Sequence, residues 1–184
     1  LALRLDELNR DRRLIEADMQ SEALALLAEL DVDADNMPWG LCLYDQGWHQ
    51  GVVGLLASRI KDKFHRPVIA FAEAGEDDLK GSARSIPGFH IRDAFDAVAS
   101  RHPDLLDRFG GHAMAAGLSL KKDRFPAFAA AFDEEVRRQL SNDDLAAELL
   151  TDGELEQSDF NLEIAQQLRD GGPWGQHFPE PCFY

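Results

Sequence analysis

The chain of 184 residues is poor in cysteine and has no long apolar run. Its two cysteines, Cys42 and Cys182, stand far apart and in no metal-ligand spacing, so a disulfide framework is excluded and Cys42 is expected to be a buried core thiol. No apolar stretch approaches the roughly 20 residues that cross a bilayer. The first residues also lack the basic, apolar and cleavage segments of a signal peptide. We therefore expect a globular, cytoplasmic protein.

The sequence also lacks the residue clusters that hydrolytic sites need. None of its six histidines forms an i, i+4 pair beside a carboxylate, and no group of Asp and His is typical of a two-metal site. No serine stands in a strained elbow, and no Cys/His pair has an orienting third group. We expect this chain to bind no metal and to hold no complete hydrolytic machinery.

Positive charge is scarce overall but unevenly distributed. A formal net charge of −15 argues against nucleic acid as a partner, because phosphate-binding surfaces are normally basic. Residues 47–122, however, hold 11 Lys/Arg against 9 Asp/Glu, whereas the flanks 1–46 and 123–184 contribute −7 and −10. The acid is therefore displaced from the central block, which keeps nucleic acid open as its partner.

Apolar periodicity predicts a layered domain in which strands alternate with helices. Residues 1–30 predict one long helix with an apolar stripe, followed by an acidic linker from Asp31 to Pro38. Four strands are predicted at 41–45, 67–72, 79–85 and 116–120, and three helices at 51–65, 91–101 and 124–140. This order predicts an α/β (α+β) fold, with a small mixed β-sheet flanked by helices.

The first segment with chemical potential is GWHQG (47–51), between a predicted strand and a predicted helix. Its two glycines allow a sharp turn, and the helix that follows presents free N–H groups and the positive end of its dipole, which suit an anion. Trp48 would stack on a base or sugar, and His49 would donate to a phosphate. The alternative is structural: Trp48 plugs the strand–helix junction and His49 caps the helix.

The second segment is GSARS (81–85), at the end of a predicted strand. Small neighbours leave the planar guanidinium of Arg84 unobstructed for a bidentate phosphate contact. The hydroxyls of Ser82 and Ser85 would complete the oxygen shell. The alternative is an exposed edge strand with a surface arginine.

The third segment is FGGHAMAAG (109–117). Gly110 and Gly111 would expose consecutive backbone amides, which form a concave binding site for anionic oxygens. His112 follows at once and would stabilise charge on a phosphoryl oxygen. The alternative is a structural histidine after a glycine turn.

In this order the segments resemble the C-terminal half of the RecJ family of DHH phosphoesterases. Two further segments resemble its interdomain connector helix and the beginning of its OB-fold domain. The matching segments are GWHQGVVGLLASRI (47–60), FHRP (64–67), GSARSIPGF (81–89), GGHAMAAG (110–117), NRDRRLIEADM (9–19) and GPWGQHFPEPCF (172–183). The resemblance implies a connector helix and linker at 1–36, a DHH-associated substrate-binding domain at 37–140, and a truncated lead-in to an OB-fold at 141–184.

The resemblance implies a two-lobed 5′→3′ single-stranded-DNA exonuclease of DNA repair and recombination. Its other lobe carries an Asp-His-His motif, which occurs nowhere in this chain, and holds Mn²⁺ or Mg²⁺. The expected partners are single-stranded DNA, that catalytic lobe and single-stranded-DNA-binding protein. This chain alone is expected to be inactive.

By the same resemblance, Ser82 and Arg84 hold backbone phosphates. His112, with the amides of Gly110 and Gly111, lies nearest the scissile phosphate in a supporting catalytic role. Trp48 and His49 support or line the cleft. The residues expected to serve nucleic-acid binding are therefore Trp48, His49, Ser82, Arg84, Ser85, Gly110, Gly111 and His112.

Two other functions stay open. One is a DHH-type phosphodiesterase for short oligonucleotides or cyclic dinucleotides, although such relatives usually stop after this domain. The other is a non-catalytic relative that uses the domain to bind proteins. The acidic flanks favour a protein partner. The presence of Arg84 and His112 argues against a relative that has lost its catalytic function.

Overall fold

The structure is a computed structural model that describes residues 2–29, 37–147, 150–175 and 178–184. The chain divides into two compact units, Leu1–Ala146 and Ala147–Tyr184. The described helices lack the combination of length and apolar character that a bilayer crossing requires. The predicted linker lies largely outside the described residues, as do positions 176 and 177 of the predicted OB-fold lead-in.

The first unit contains a five-stranded mixed sheet in the order β1-β2-β3-β5-β4. Strand β1 is parallel to β2, and all other neighbours are antiparallel. The strands are β1 (Leu41–Tyr44), β2 (Val68–Glu73), β3 (Asp78–Arg84), β4 (Arg108–Gly111) and β5 (Ala115–Lys121). The predicted mixed sheet flanked by helices is confirmed.

Helices cover the two faces of this sheet unequally. The helices of the first unit are α1 (Ala2–Glu29), α2 (Val53–Phe64), α3 (Ile91–Arg101) and α4 (Phe125–Gln139). Helices α3 and α4 pack on one face, where Phe95, Phe128 and Phe132 are fully buried. Helix α2 packs on the other face, against β2 and β3, where Val68 and Ala70 are fully buried. The β3–β5–β4 part of that second face carries polar residues and glycines instead.

The long predicted helix is present as α1, but its apolar stripe is mostly exposed. Leu5, Leu8 and Ile15 are 57%, 48% and 41% exposed, whereas Met19 is buried with residues of α2. Leu1 and Leu30 of the predicted stripe lie outside the described residues, and the side chains of Leu26 and Leu27 are not described. Within the described side chains, Met19 is the stripe residue that joins the core.

One strand and one α-helix of the described residues were not predicted. Strand β4 is four residues long and half glycine, and glycine is depleted in strands, so its sequence gives no alternation signal. The second unit contains α5 (Leu162–Asp170), whose side-chain cap Asn161 accepts the N–H of Ile164. The acidic composition of this region predicted a linker, whereas the Asn cap before LEIAQQLRD was the signal for a helix.

Cys42 lies in β1 and is half-buried against the core beneath α3 and α4. Burial raises the pKa of its thiol well above the usual value, and the nearby charge of Asp133 raises it further. Cys42 was predicted to be a buried core thiol; it packs against the core but is only partly buried.

Candidate nucleic-acid-binding site

The N-terminus of α2 meets the end of β3 at Gly54, Ser82 and Arg84. A β-carbon built on Gly54 would lie 3.0 Å from Ser82 Oγ and 2.9 Å from Arg84 Nη2. Gly54 permits this close approach, because a side chain there would push the flexible guanidinium or the hydroxyl aside. Two of the predicted residues thus lie beside a helix N-terminus, and Gly54 joins them.

The Arg84 side chain is held from one side by its own strand. Its Nη1 donates to Ser82 Oγ at 3.1 Å and to the carbonyl oxygen of Ala83 at 2.8 Å. Within the described ranges, no acceptor is found for Nε or Nη2 of Arg84. The guanidinium is therefore oriented by two hydrogen bonds and keeps further donors for a bidentate oxygen ligand.

The N-terminal turn of α2 adds to the positive character of this group. Residue Val52, at the N-cap, makes no side-chain capping bond, and the N–H of Gly54 meets no acceptor among the described residues. The first N–H groups of a helix lack internal partners, and the helix dipole places partial positive charge there. The N–H of Gly54, the Ser82 hydroxyl and the Arg84 guanidinium together form a compact donor set for an anionic oxygen.

Trp48 and His49 lie in the loop that leads into α2, and they differ in exposure. Trp48 is 4% exposed and belongs to the core under α2, so its ring supports the junction and is not open for stacking. His49 is exposed, and its Nδ1 accepts the N–H of Gly51 at 3.0 Å. In the neutral ring the remaining proton is then on Nε2, which leaves an exposed donor.

Ser85 follows β3 but faces the interior. It is 1% exposed, and its hydroxyl donates to the carbonyl oxygen of Phe89 at 2.6 Å. The structure therefore does not bring Ser85 together with Ser82 and Arg84. Its hydroxyl holds the loop after β3, which is a structural role that the GSARS pattern alone did not separate from that of Ser82.

Gly110 and Gly111, which were predicted to expose consecutive backbone amides, lie in the edge strand β4. Gly110 pairs with Gly117 and Gly111 with Ala116 of β5. Gly111 has a φ of +141°, and a β-carbon there would lie 2.5 Å from the carbonyl oxygen of Ala115. Glycine is thus required at Gly111 for both its conformation and its packing.

His112 is exposed at the turn between β4 and β5. Its N–H donates to the carbonyl oxygen of Ala115 at 2.8 Å, which closes the turn. Ala115 is paired with Arg84 across β3 and β5. The turn that carries His112 and the group of Gly54, Ser82 and Arg84 therefore lie at the same end of the sheet.

The opposite end of β2 carries a paired cluster. Glu73 accepts hydrogen bonds from Lys122 Nζ and from Tyr44 Oη, the latter at 2.7 Å. Hydrogen bonds from Lys122 and Tyr44 hold the pKa of the Glu73 carboxyl below its usual value. The hydrogen bond to Glu73 raises the pKa of Lys122 in turn. The charges of Glu73 and Lys122 are therefore paired with each other within the fold.

In the part of the chain that the structure describes, no group of three or more His, Cys, Asp or Glu residues is arranged to hold an ion. The donors near the sheet are instead N–H and O–H groups, which suit oxyanions.

Family comparison matches residues 38–138 to the DHHA1 domain. The match covers more than half of the chain and includes the sheet, α2, α3, most of α4 and all the candidate residues. The chain belongs to the DHHA1 domain family. Its DHHA1 domain therefore carries Gly54, Ser82, Arg84 and His112 at one end of its sheet.

Relatives of this DHHA1 protein share its whole length. Single-stranded-DNA-specific exonuclease RecJ of Salmonella typhimurium is 54% identical over 183 residues, which is 100% of this chain and 32% of the relative. The RecJ of Dickeya dadantii is 55% identical over the same shares of the two chains. The chain thus spans about a third of the length of these curated relatives.

This chain is also similar to solved structures of RecJ. RecJ of Thermus thermophilus in complex with Mg²⁺ is 30% identical with a TM-score of 0.76, over 98% of this chain and 26% of the other. An exonuclease RecJ bound to manganese is 31% identical with a TM-score of 0.57, over 77% of this chain and 34% of the other. The fold of the described residues is therefore similar to that of RecJ.

Proposed function

We propose that this chain is the substrate-holding part of a RecJ-type 5′→3′ single-stranded-DNA exonuclease that acts in DNA repair and recombination. The residues that bind the metal and activate water lie outside this chain. The DHHA1 domain holds the phosphates of the strand, so that the scissile bond is presented to the catalytic lobe.

The observation that carries this proposal is the donor group at the N-terminus of α2. Arg84 keeps Nε and Nη2 donors beside the Ser82 hydroxyl, and Gly54 brings a helix N-terminus to the same place. Phosphate oxygens accept such bonds strongly, and a bidentate guanidinium contact fixes the orientation of the phosphate as well as its position. His112, at the same end of the sheet, is then available to donate to the phosphoryl oxygen that develops charge.

Similarity over the whole chain supports the exonuclease over the other two functions considered. The identity of 54% extends over all of this chain, beyond the DHHA1 match at 38–138. A phosphodiesterase that stops after the DHHA1 domain would not need residues 141–184. Arg84 and Ser82 also keep the geometry of an anion site, which a purely protein-binding relative would not require.

Metal binding is assigned to the rest of the protein. The relatives' structures are solved with Mg²⁺ or Mn²⁺, whereas the described part of this chain has no fitting ligand cluster. When bound, such an ion lowers the pKa of its water and stabilises phosphoryl charge. The residues of this chain bind and orient the strand.

The flanks of the DHHA1 domain have separate proposed roles. Residues 1–36 act as the connector to the catalytic lobe, and 141–184 lead into an OB-fold that would give bases a stacking platform. Single-stranded-DNA-binding protein is the proposed protein partner, and the cytoplasm, where bacterial chromosomal DNA lies, is the proposed location.

A chimera tests the proposal. The 183 matching residues of the Salmonella typhimurium RecJ are replaced by this chain, and 5′-labelled single strands and duplexes are digested with Mn²⁺ or Mg²⁺. We expect the chimera to degrade the single strand from its 5′ end and this chain alone to cut nothing. Metal-dependent cleavage by the chain alone, at catalytic concentration, would contradict the assignment of the metals to another lobe. A folded chimera that binds no single strand would contradict the substrate-holding role.

A further inference from the structure

The half of the α2 side of the sheet that lies away from β1 carries a second polar group, beyond the contact of α2 with Ser82 and Arg84. We call this half, formed by β3, β5 and β4, the open half-sheet. Lys80, Ser119 and Arg108 form one row across its three strands, because Lys80 pairs with Ser119 and Ser119 with Arg108. Directly paired residues project their side chains from the same face of a sheet. Lys80 also shares its face with Ser82 and Arg84, since side chains alternate along a strand.

Within the described residues, the two cations of this row have no counter-ion. Lys80 and Arg108 are exposed, and their side chains make no ion pair or hydrogen bond with any residue that the structure describes. In the next row, by contrast, Lys121 Nζ lies 2.6 Å from Asp78 Oδ1, and this bond raises the pKa of Lys121. Lys80 and Arg108 lie together in a chain whose formal net charge is −15. They leave positive charge where a polyanion can reach it.

The surface between the two cations is concave, and glycines leave its backbone accessible. A shallow cavity of about 320 Å³ is lined by Lys80, Arg108, Ser119 and Gly117, among others, and no carboxylate lines it. The row between this one and the Arg84 end consists of Ser82, Gly117 and Gly110. Two of its three members are glycines, so a ligand can lie directly on the backbone of the sheet.

The spacing of the two groups fits one continuous strand of nucleic acid. Lys80 and Arg84 are four residues apart, which is about 13 Å along a β-strand. A stacked single strand has one phosphate per roughly 3.4 Å of its axis, so this distance covers up to about four phosphates. An extended strand would place fewer phosphates over the same length.

We propose that Lys80 and Arg108, with Ser119, form a second phosphate subsite, which holds the strand about 13 Å along the open half-sheet from the Arg84 end. The subsite takes the backbone of single-stranded nucleic acid and reads no base. It rests on the proposed function, because the strand must first be held at Arg84. It extends that function by giving the held strand a direction across the sheet.

The test is a titration of the ¹⁵N-labelled 184-residue chain, followed by amide chemical shifts. The probes are thymidine 5′-monophosphate and 5′-phosphorylated hexathymidylate. We expect both probes to shift the amides of Gly54 and Arg84, and the hexanucleotide alone to shift those of Lys80 and Ser119. NMR detects binding in the millimolar range, so weak binding by this chain remains measurable.

Variants assign the effect to the two cations. The double substitution Lys80→Gln and Arg108→Gln is expected to weaken hexanucleotide binding about tenfold and to reduce the salt dependence of its Kd, while monophosphate binding is unchanged. The control is Arg138→Gln, on α4 across the sheet, where Arg138 is paired with Glu134. The control loses one cation but should bind both probes as the wild type does.

Different outcomes of this test would contradict the second phosphate subsite and the proposed function. Shifts at Gly54 and Arg84 without shifts at Lys80 and Ser119 would overturn the subsite and leave the proposed function intact. An unchanged hexanucleotide Kd in the double variant would overturn it as well. Absence of shifts at both ends of the sheet would contradict the nucleic-acid-holding role itself.

Discussion

Gly54 and Arg84 approach so closely that a β-carbon on Gly54 would lie 2.9 Å from Arg84 Nη2. The contact joins the first turn of α2 to the end of β3 and fixes where the guanidinium lies. Gly54 is therefore a positioning residue of the proposed phosphate site, although it has no side chain.

Replacing Gly54 by alanine should reduce binding without destabilising the fold. Alanine is a better helix former than glycine by about 1 kcal/mol, which offsets the strain of moving a flexible side chain. We expect a Tm within a few degrees of the wild type and a Kd for hexathymidylate raised about tenfold. In the Gly54→Ala background, Arg84→Ala should cost less than it does alone, because the guanidinium is already displaced. Fully additive losses would show that the two residues act independently.

The two serines of GSARS should have opposite phenotypes. Ser85→Ala removes a buried hydrogen bond to the Phe89 carbonyl and should lower the free energy of unfolding by about 1–3 kcal/mol. Ser82→Ala should leave stability nearly unchanged and weaken oligonucleotide binding. Urea unfolding and binding titrations on both variants measure this. A binding defect in a stably folded Ser85→Ala variant would show that the Ser85 hydroxyl does contribute to nucleic-acid binding.

Gly111→Ala should destabilise the protein, whereas Gly110→Ala should not. Gly111 has a φ of +141°, and a β-carbon added there would lie 2.5 Å from backbone atoms, while nothing lies within 4 Å of the same position on Gly110. We expect a loss of at least about 2 kcal/mol for Gly111→Ala. The free energy of unfolding in urea gives the comparison. Equal effects at the two positions would contradict the assigned conformation of β4.

The free energy of unfolding should fall in acid, because Glu73 becomes protonated. Its folded-state pKa lies below its usual value, so this carboxylate stabilises the fold above the usual pKa. That stabilisation is lost as the pH falls through the lower, folded-state pKa. Glu73→Gln should therefore be less stable than the wild type at pH 7, and the difference should shrink as the pH approaches 3. A difference that stays constant between pH 7 and pH 3 would rule out ionic stabilisation by Glu73.

Much of the fold was predictable because most of its elements are periodic. Helix α3 has the bounds predicted for it, and β2, which is nearly all apolar, reads as a buried strand. Strand β4 was missed because RFGG has too few side chains to show alternation. A short serine-containing pattern also does not separate Ser82 from Ser85, because which side of the chain each one faces depends on where the strand lies in the sheet.

The candidate site was predictable in composition but not in arrangement. Arg84 and Ser82 were predicted from their residue types, and the structure places them together. Trp48 was weighed as a stacking residue, yet it is buried in the core. Gly54 was missed because its role depends on a contact between residues 28 or more positions apart, which no local pattern encodes.

The central claim is that Arg84 binds nucleic-acid phosphate rather than stabilising the sheet. The most direct measurement is the Kd of the chimeric enzyme for a 5′-phosphorylated single strand, with and without Arg84→Ala, alongside the Tm of each protein. Because a hydrogen bond to a charged group contributes about 1.5–3 kcal/mol, the account predicts at least tenfold weaker binding at a nearly unchanged Tm. Unchanged binding, or a loss of binding matched by a large fall in Tm, would contradict it.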